Sequence, residues 1–145
     1  MSLWRNFEIK TSTMATIHPW PPLERKFKWL FHGTNPSSIA EIVEEGFDLK
    51  LAGQHGDTYG KGIYFAREAS HSMRFSTPND KGNRQMLLCR VAVGVWCQGY
   101  KGFSKKSIGL LESTADNPAD PKIFAVYDEA QIYPEYVVTF ECNNS

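Results

Sequence analysis

Apolar residues along this chain fall mostly in short runs separated by glycine, proline and polar clusters, the spacing that bounds β-strands. "KWLFH", ending at His32, predicts a first strand. "NPSSIAEIVEEG" breaks the pattern and predicts a helix, with Ser38 and Glu41 as a capping box, Ile39, Ile42 and Val43 on one apolar face and Gly46 as its stop. "IYFA" predicts a strand in which Tyr64 and Phe65 must point to opposite sides. "REASHSMRF" then predicts a short helix and "STPNDKGN" a polar turn. "MLLCRVAVGVW" is rich in β-branched residues and predicts a long buried strand, and "KIFAVY" and "QIYPEYVVTFE" predict two closing strands around a turn at Asp128 and Glu129.

The remaining segments carry no period. Everything up to about Lys28 is expected to be irregular, because "HPWPPLERK" places three prolines where neither helix nor central strand tolerates them. "LKLAGQHGDTYGKG" is expected as a loop, with Gly53, Gly56, Gly60 and Gly62 allowing close approach of backbone to another group. "QGYKGFSKKSIGLLESTADNPADP" is also expected as a loop. Strands outnumber helices, and the helices are short and early, so the expected class is α+β on a mainly antiparallel sheet. A lead-in over residues 1–28 and a single domain over 29–145 are the expected organisation.

Composition narrows the function. Sixteen basic and 16 acidic residues cancel, which argues against a nucleic-acid backbone or an anionic membrane as partner. Cys89, Cys97 and Cys142 have no metal-ligand spacing and are odd in number, pointing to a reducing compartment and no metal. The charged N-terminus "MSLWRNFEIK" does not read as a signal peptide, and no stretch reaches transmembrane length. An intracellular protein, cytoplasmic or nuclear, is expected.

Four segments, "LFHGT", "YGKGIYFA", "ASHS" and "KIFAVYDEAQIYPEYVV", together resemble the catalytic domains of the poly(ADP-ribose) polymerase-like ADP-ribosyltransferases in order and spacing, from about Trp29 to Phe140. The resemblance implies the ADP-ribosyltransferase fold, an α+β domain of split β-sheets with short flanking helices. It also implies NAD as co-substrate and nicotinamide-like inhibitors as ligands. By the same resemblance His32 holds the adenosine ribose, Gly33 clamps the nicotinamide carboxamide through its backbone, and Thr34 is the small hydroxyl beside them. Tyr64 matches the tyrosine stacked on the nicotinamide ring, Ser72 the serine that completes the clamp, Phe75 the opposing aromatic face, and Tyr59 the aromatic ahead of the Gly-Lys-Gly turn.

Ile123 matches the position where the polymerases carry a glutamate. A His-Tyr-Ile set resembles the mono-ADP-ribosyltransferase branch, so transfer of single units to an acceptor, expected to be a protein, is implied. The chemistry agrees from below: breaking the nicotinamide glycosidic bond develops positive charge on the ribose, and a site gains by holding ring and ribose rigidly. The "RPP" and "YDS" elements of many mono-transferases are absent, and His71 stands where close relatives often carry an aromatic. Two other readings fit the same residues: a catalytically silent module of this fold binding NAD, ADP-ribose or a protein, and a transferase acting on nucleic-acid ends. Asp128 and Glu129 are expected as solvated turn acids, and a monomeric domain is expected.

Overall fold

The structure is a computed structural model that describes residues 2–18, 27–51 and 58–141. Its elements in chain order are α1 (Leu3–Ile17), β1 (Phe27–Gly33), α2 (Pro36–Glu45), β2 (Ile63–Ala66), α3 (Ala69–Ser72), β3 (Arg84–Ala92), β4 (Trp96–Gln98), β5 (Ser113–Ala115), β6 (Ile123–Val126) and β7 (Ile132–Phe140), with 3-10 turns at Leu49–Leu51, Met73–Phe75 and Glu129–Gln131. The strands form one sheet in the order β4-β5-β6-β2-β1-β3-β7, antiparallel except for the β4–β5 pair.

β1 and β3 pair along their length, from Phe27↔Ala92 to Gly33↔Met86, and β3 continues onto β7. β2 pairs β6 over all four of its residues. Between these two halves, β1 and β2 share a single register pair, Phe31↔Ala66. The sheet is therefore divided where the two halves meet, beside His32 on β1 and Tyr64 on β2. β7 lies at the edge, a position that tolerates Pro134, which pairs with Cys89 beside the irregularity at Leu88 and Cys89.

The main core lies between α2 and the sheet, where Ile39 and Ile42 pack with Leu30, Phe65, Leu87, Val91 and Phe124. α2 starts one turn earlier than its apolar pattern suggests. The Asn35 side chain accepts the Ser38 N–H (2.8 Å) and Pro36 occupies the first turn, so Asn35 and not Ser38 is the N-cap. Asn-Pro supplies both a capping oxygen and a φ already suited to the helix, and that outweighs the Ser38–Glu41 box. Val43 is 51% exposed and leaves the apolar face. Gly46 ends α2 at φ 88, as its residue type required.

Residues 3–17 correct the expectation of an irregular lead-in. They form α1, capped by Ser2 and burying Phe7, Thr11 and Met14 on one face. Phe7 and Met14 pack against Ala92, Phe27 and Tyr133, and Lys10 pairs with Asp128 at 3.0 Å. Its threonines Thr11, Thr13 and Thr16 return hydroxyl bonds to carbonyls one turn back, which satisfies those hydroxyls within the helix. The proline-rich stretch 19–26 that motivated the expectation lies outside the described residues, as do Gly53, Gly56 and Cys142.

The long loop after β3 also holds more order than its composition suggests. It contains β5, and the long strand expected to run to Trp96 instead ends at Ala92 and resumes as the separate β4. Tertiary bonds hold this region: Ser113 Oγ donates to the Val93 carbonyl (2.7 Å), Glu112 accepts the Val95 N–H (3.0 Å), and Gln131 Nε2 bridges the carbonyls of Ala92 and Glu112. Such a strand depends on partners far along the chain, so three small residues in a loop give no local sign of it.

Candidate active site

A cavity of about 170 Å³ opens at the division between β1 and β2, roofed by α2 and closed below by α3. His32, Gly33, Thr34, Tyr64, Ser72, Phe75 and Ile123 all line it, together with His71 and Phe47. Residues separated by up to 91 positions in the chain thus converge on one space.

His32, next to last in β1, has its imidazole fixed on both sides. Nδ1 bonds the Tyr64 carbonyl at 2.7 Å; a carbonyl can only accept, so Nδ1 carries a proton and donates it. The ring meets Phe47 edge-on (centroids 4.9 Å, 88°) and leans on Phe65 at 5.4 Å. Sequence reasoning missed Phe47, whose only local mark is its place directly after the Gly46 stop.

Gly33 follows at the point where β1 passes α3. A Cβ there would overlap the carbonyl oxygen of Ser72, so glycine alone lets the strand end lie this close to the helix. Gly33 and the buried Ser72 thereby meet backbone to backbone on one wall, which the buried Thr34 also lines. The 3-10 turn Met73–Phe75 carries Phe75 to the same cavity, its ring 5.8 Å from that of His71.

β2 splits its two aromatics as strand alternation requires. Phe65 is 1% exposed and belongs to the main core, whose side of the cavity it closes. Tyr64 packs with Phe103, Ala125 and Tyr127 on the other side. Its hydroxyl accepts the Tyr59 N–H (2.8 Å) and donates to the Gly60 carbonyl (2.7 Å), so the chemistry of Tyr64 toward the cavity is that of its ring. Tyr59 is not among the lining residues; its ring lies 6.0 Å from that of Tyr64 and its backbone holds the Tyr64 hydroxyl.

Ile123 opens β6 and pairs with Ala66. Asp116 accepts both the Lys122 and Ile123 N–H groups at 3.0 Å; burial opposes its charge, yet these donors hold its carboxyl below the usual range. The carboxylates that do line the cavity, Glu41, Glu45 and Asp48, belong to α2 and the turn after it, while β6 contributes the apolar Ile123. Asp128 and Glu129 lie outside this lining and have structural partners. Asp128 caps the Ala130 N–H and pairs with Lys10, which together depress its pKa against the opposing effect of burial. Glu129 accepts the Leu49 N–H at 2.7 Å, tying down the segment that enters the cavity wall.

Comparison with known proteins adds an independent line. The pattern of the family described as Poly(ADP-ribose) polymerase catalytic domain matches residues 1–102, a span that includes α1. Mouse protein mono-ADP-ribosyltransferase PARP12 is 31% identical over 150 residues, covering 99% of this chain and 21% of its own length. Human protein mono-ADP-ribosyltransferase PARP11 is 32% identical, covering 97% of this chain and 48% of its own. Human protein mono-ADP-ribosyltransferase PARP14 is 30% identical, covering 95% of this chain and 8% of its own. The chain spans between about a twelfth and a half of the length of these relatives.

Proposed function

This chain belongs to the poly(ADP-ribose) polymerase catalytic-domain family, and on that premise we propose that it is an NAD-dependent mono-ADP-ribosyltransferase. The observation that carries the reading is the meeting of His32, Tyr64 and Ile123 on one cavity, with Gly33 and Ser72 side by side on its wall. The names of the three relatives described above, each a mono-ADP-ribosyltransferase, support the same branch.

NAD fits the residues present as a substrate. A nicotinamide carboxamide needs one acceptor and one donor in fixed positions; the Gly33 backbone and the Ser72 hydroxyl, carried by two residues that meet on one wall of the cavity, would supply them. The rings of Tyr64 and Phe75 give the aromatic ring two faces to stack on. His32, its ring orientation set by the bond from Nδ1 to the Tyr64 carbonyl, lines the same cavity, where it would meet a ribose hydroxyl. Bound in this way, NAD supplies a glycosidic bond whose cleavage builds positive charge on the ribose; the protein's part is to fix both ends while the leaving group departs.

Ile123 brings no carboxylate to activate a second ribose hydroxyl, so the reaction ends at one unit. An acidic acceptor side chain would provide its own carboxylate. The acceptor is a protein, the 29–145 segment is the catalytic unit with α1 packed against it, and the compartment is intracellular. No helix among the described residues is long and apolar enough to cross a membrane.

The test is incubation of the purified chain with NAD followed by intact-mass measurement. A step of one ADP-ribose unit on the chain or on an added acceptor protein is expected. Unchanged masses despite demonstrated NAD binding would replace this reading with that of a silent binding module.

A further inference from the structure

Thr114 and Tyr127 are buried polar residues outside the cavity lining, and their hydroxyls meet at 2.8 Å. The Tyr127 hydroxyl also lies 2.7 Å from the Tyr59 carbonyl. Valence fixes the direction of both bonds. The carbonyl can only accept, so the single Tyr127 proton goes to it, and Thr114 must be the donor to Tyr127 Oη. The Tyr59 N–H then donates to Tyr64 Oη, whose own proton goes to the Gly60 carbonyl.

We infer that Thr114 and Tyr127 are positioning residues for Tyr64, holding the 59–60 turn and with it the Tyr64 ring through a one-way series of hydrogen bonds that starts on β5. The inference rests on the reading of Tyr64 as a ligand-stacking residue. Both phenols in the series have donor and acceptor capacity used, which removes the freedom to rotate that an isolated hydroxyl keeps. The turn is gripped from a second side as well: Gly60 has φ 92, a Cβ there would overlap the Phe103 carbonyl, and that carbonyl takes the Lys61 N–H at 2.9 Å. Burial pushes the Tyr127 hydroxyl up to about 12, so it remains a donor throughout the neutral range. Beside the backbone ladder through Ala125, Thr114 thus has a side-chain route to the cavity by way of Tyr127, the 59–60 turn and Tyr64.

Tyr127→Phe keeps the ring packing and deletes one hydroxyl. Amide exchange at Tyr59 should accelerate about tenfold or more, while exchange at Val91, deep in the sheet, stays as in wild type. Benzamide affinity should fall about tenfold in Tyr127→Phe and in Tyr64→Phe, with no further loss in the double variant, because both act through the same bonds. Thr114→Val should follow Tyr127→Phe, and Thr114→Ser, which keeps the donor, should restore wild-type behaviour; this pair decides the matter if Tyr127→Phe does not fold. Unchanged Tyr59 exchange in Thr114→Val, or fully additive affinity losses in the double variant, would overturn the positioning role. Failure of the wild-type chain to bind benzamide would instead remove the functional reading, and Tyr59 exchange alone would then decide whether the turn is held in this way.

Discussion

At the scale of single residues, the site separates groups that would touch a ligand from groups that hold them. His32 does both, since its Nδ1 is spent on the Tyr64 carbonyl and its ring is wedged against Phe47 and Phe65. His32→Ala should lower NAD turnover by at least about tenfold while leaving benzamide affinity nearly intact, because the small ligand has no adenosine ribose to lose a bond from. Calorimetry beside a turnover assay checks it, and equal losses for both would mark a purely structural histidine. Ile123 is 9% exposed, so Ile123→Glu should cost about 1–3 kcal/mol in denaturant unfolding through a desolvated carboxylate. Wild type should yield single-unit product on a gel even with excess NAD; a polymer ladder would refute the mono-transferase assignment.

At the scale of elements, two differences from the sequence pattern lead to measurements. If Asn35 is the cap of α2, Asn35→Ala should cost about 1 kcal/mol of stability and Ser38→Ala only a few tenths; the reverse ranking would restore the Ser38 box. In α1, Phe7 touches Trp4, Phe27 and Tyr133, so Phe7→Ala should cost about 3–5 kcal/mol. A helix lying loosely on the surface would lose almost nothing. The apolar face of α1 was present in the sequence at Phe7 and Met14, yet threonines between them and prolines after them hid it. By contrast "KWLFH", "IYFA" and "KIFAVY" read correctly as strands, because runs of apolar and β-branched residues bounded by turn formers are a local signal.

At the scale of the whole molecule, acid stability should follow the carboxyls that the fold uses. Asp116 and Asp128 have pKa values depressed in the folded state, so the stability they contribute is fully present above the ordinary aspartate pKa of about 3.9 and is lost as pH falls through their lower folded values. Urea midpoints measured from neutral pH down to about pH 3 should fall steeply at the acid end in wild type and less steeply in Asp116→Asn, which keeps an acceptor for Lys122 and Ile123 but cannot titrate.

The sequence by itself determined most strand segments and the Gly46 stop, and its motifs, through the family they resemble, named residues that, apart from Tyr59, line the cavity. Each of these is written in adjacent residue types: runs of apolar residues, a glycine where the helix must end, and motifs of a few letters. Only the tertiary structure decided that α1 exists as a packed helix, that "STA" is a strand, that β1 and β2 part after one pair to open the cavity, and that Phe47, Thr114 and Tyr127 brace its walls. Those features depend on partners tens of residues away, such as Tyr133 for Phe7 and Tyr59 for Tyr127. Local periodicity cannot record them, since a contact between distant segments exists only once the chain between them has closed.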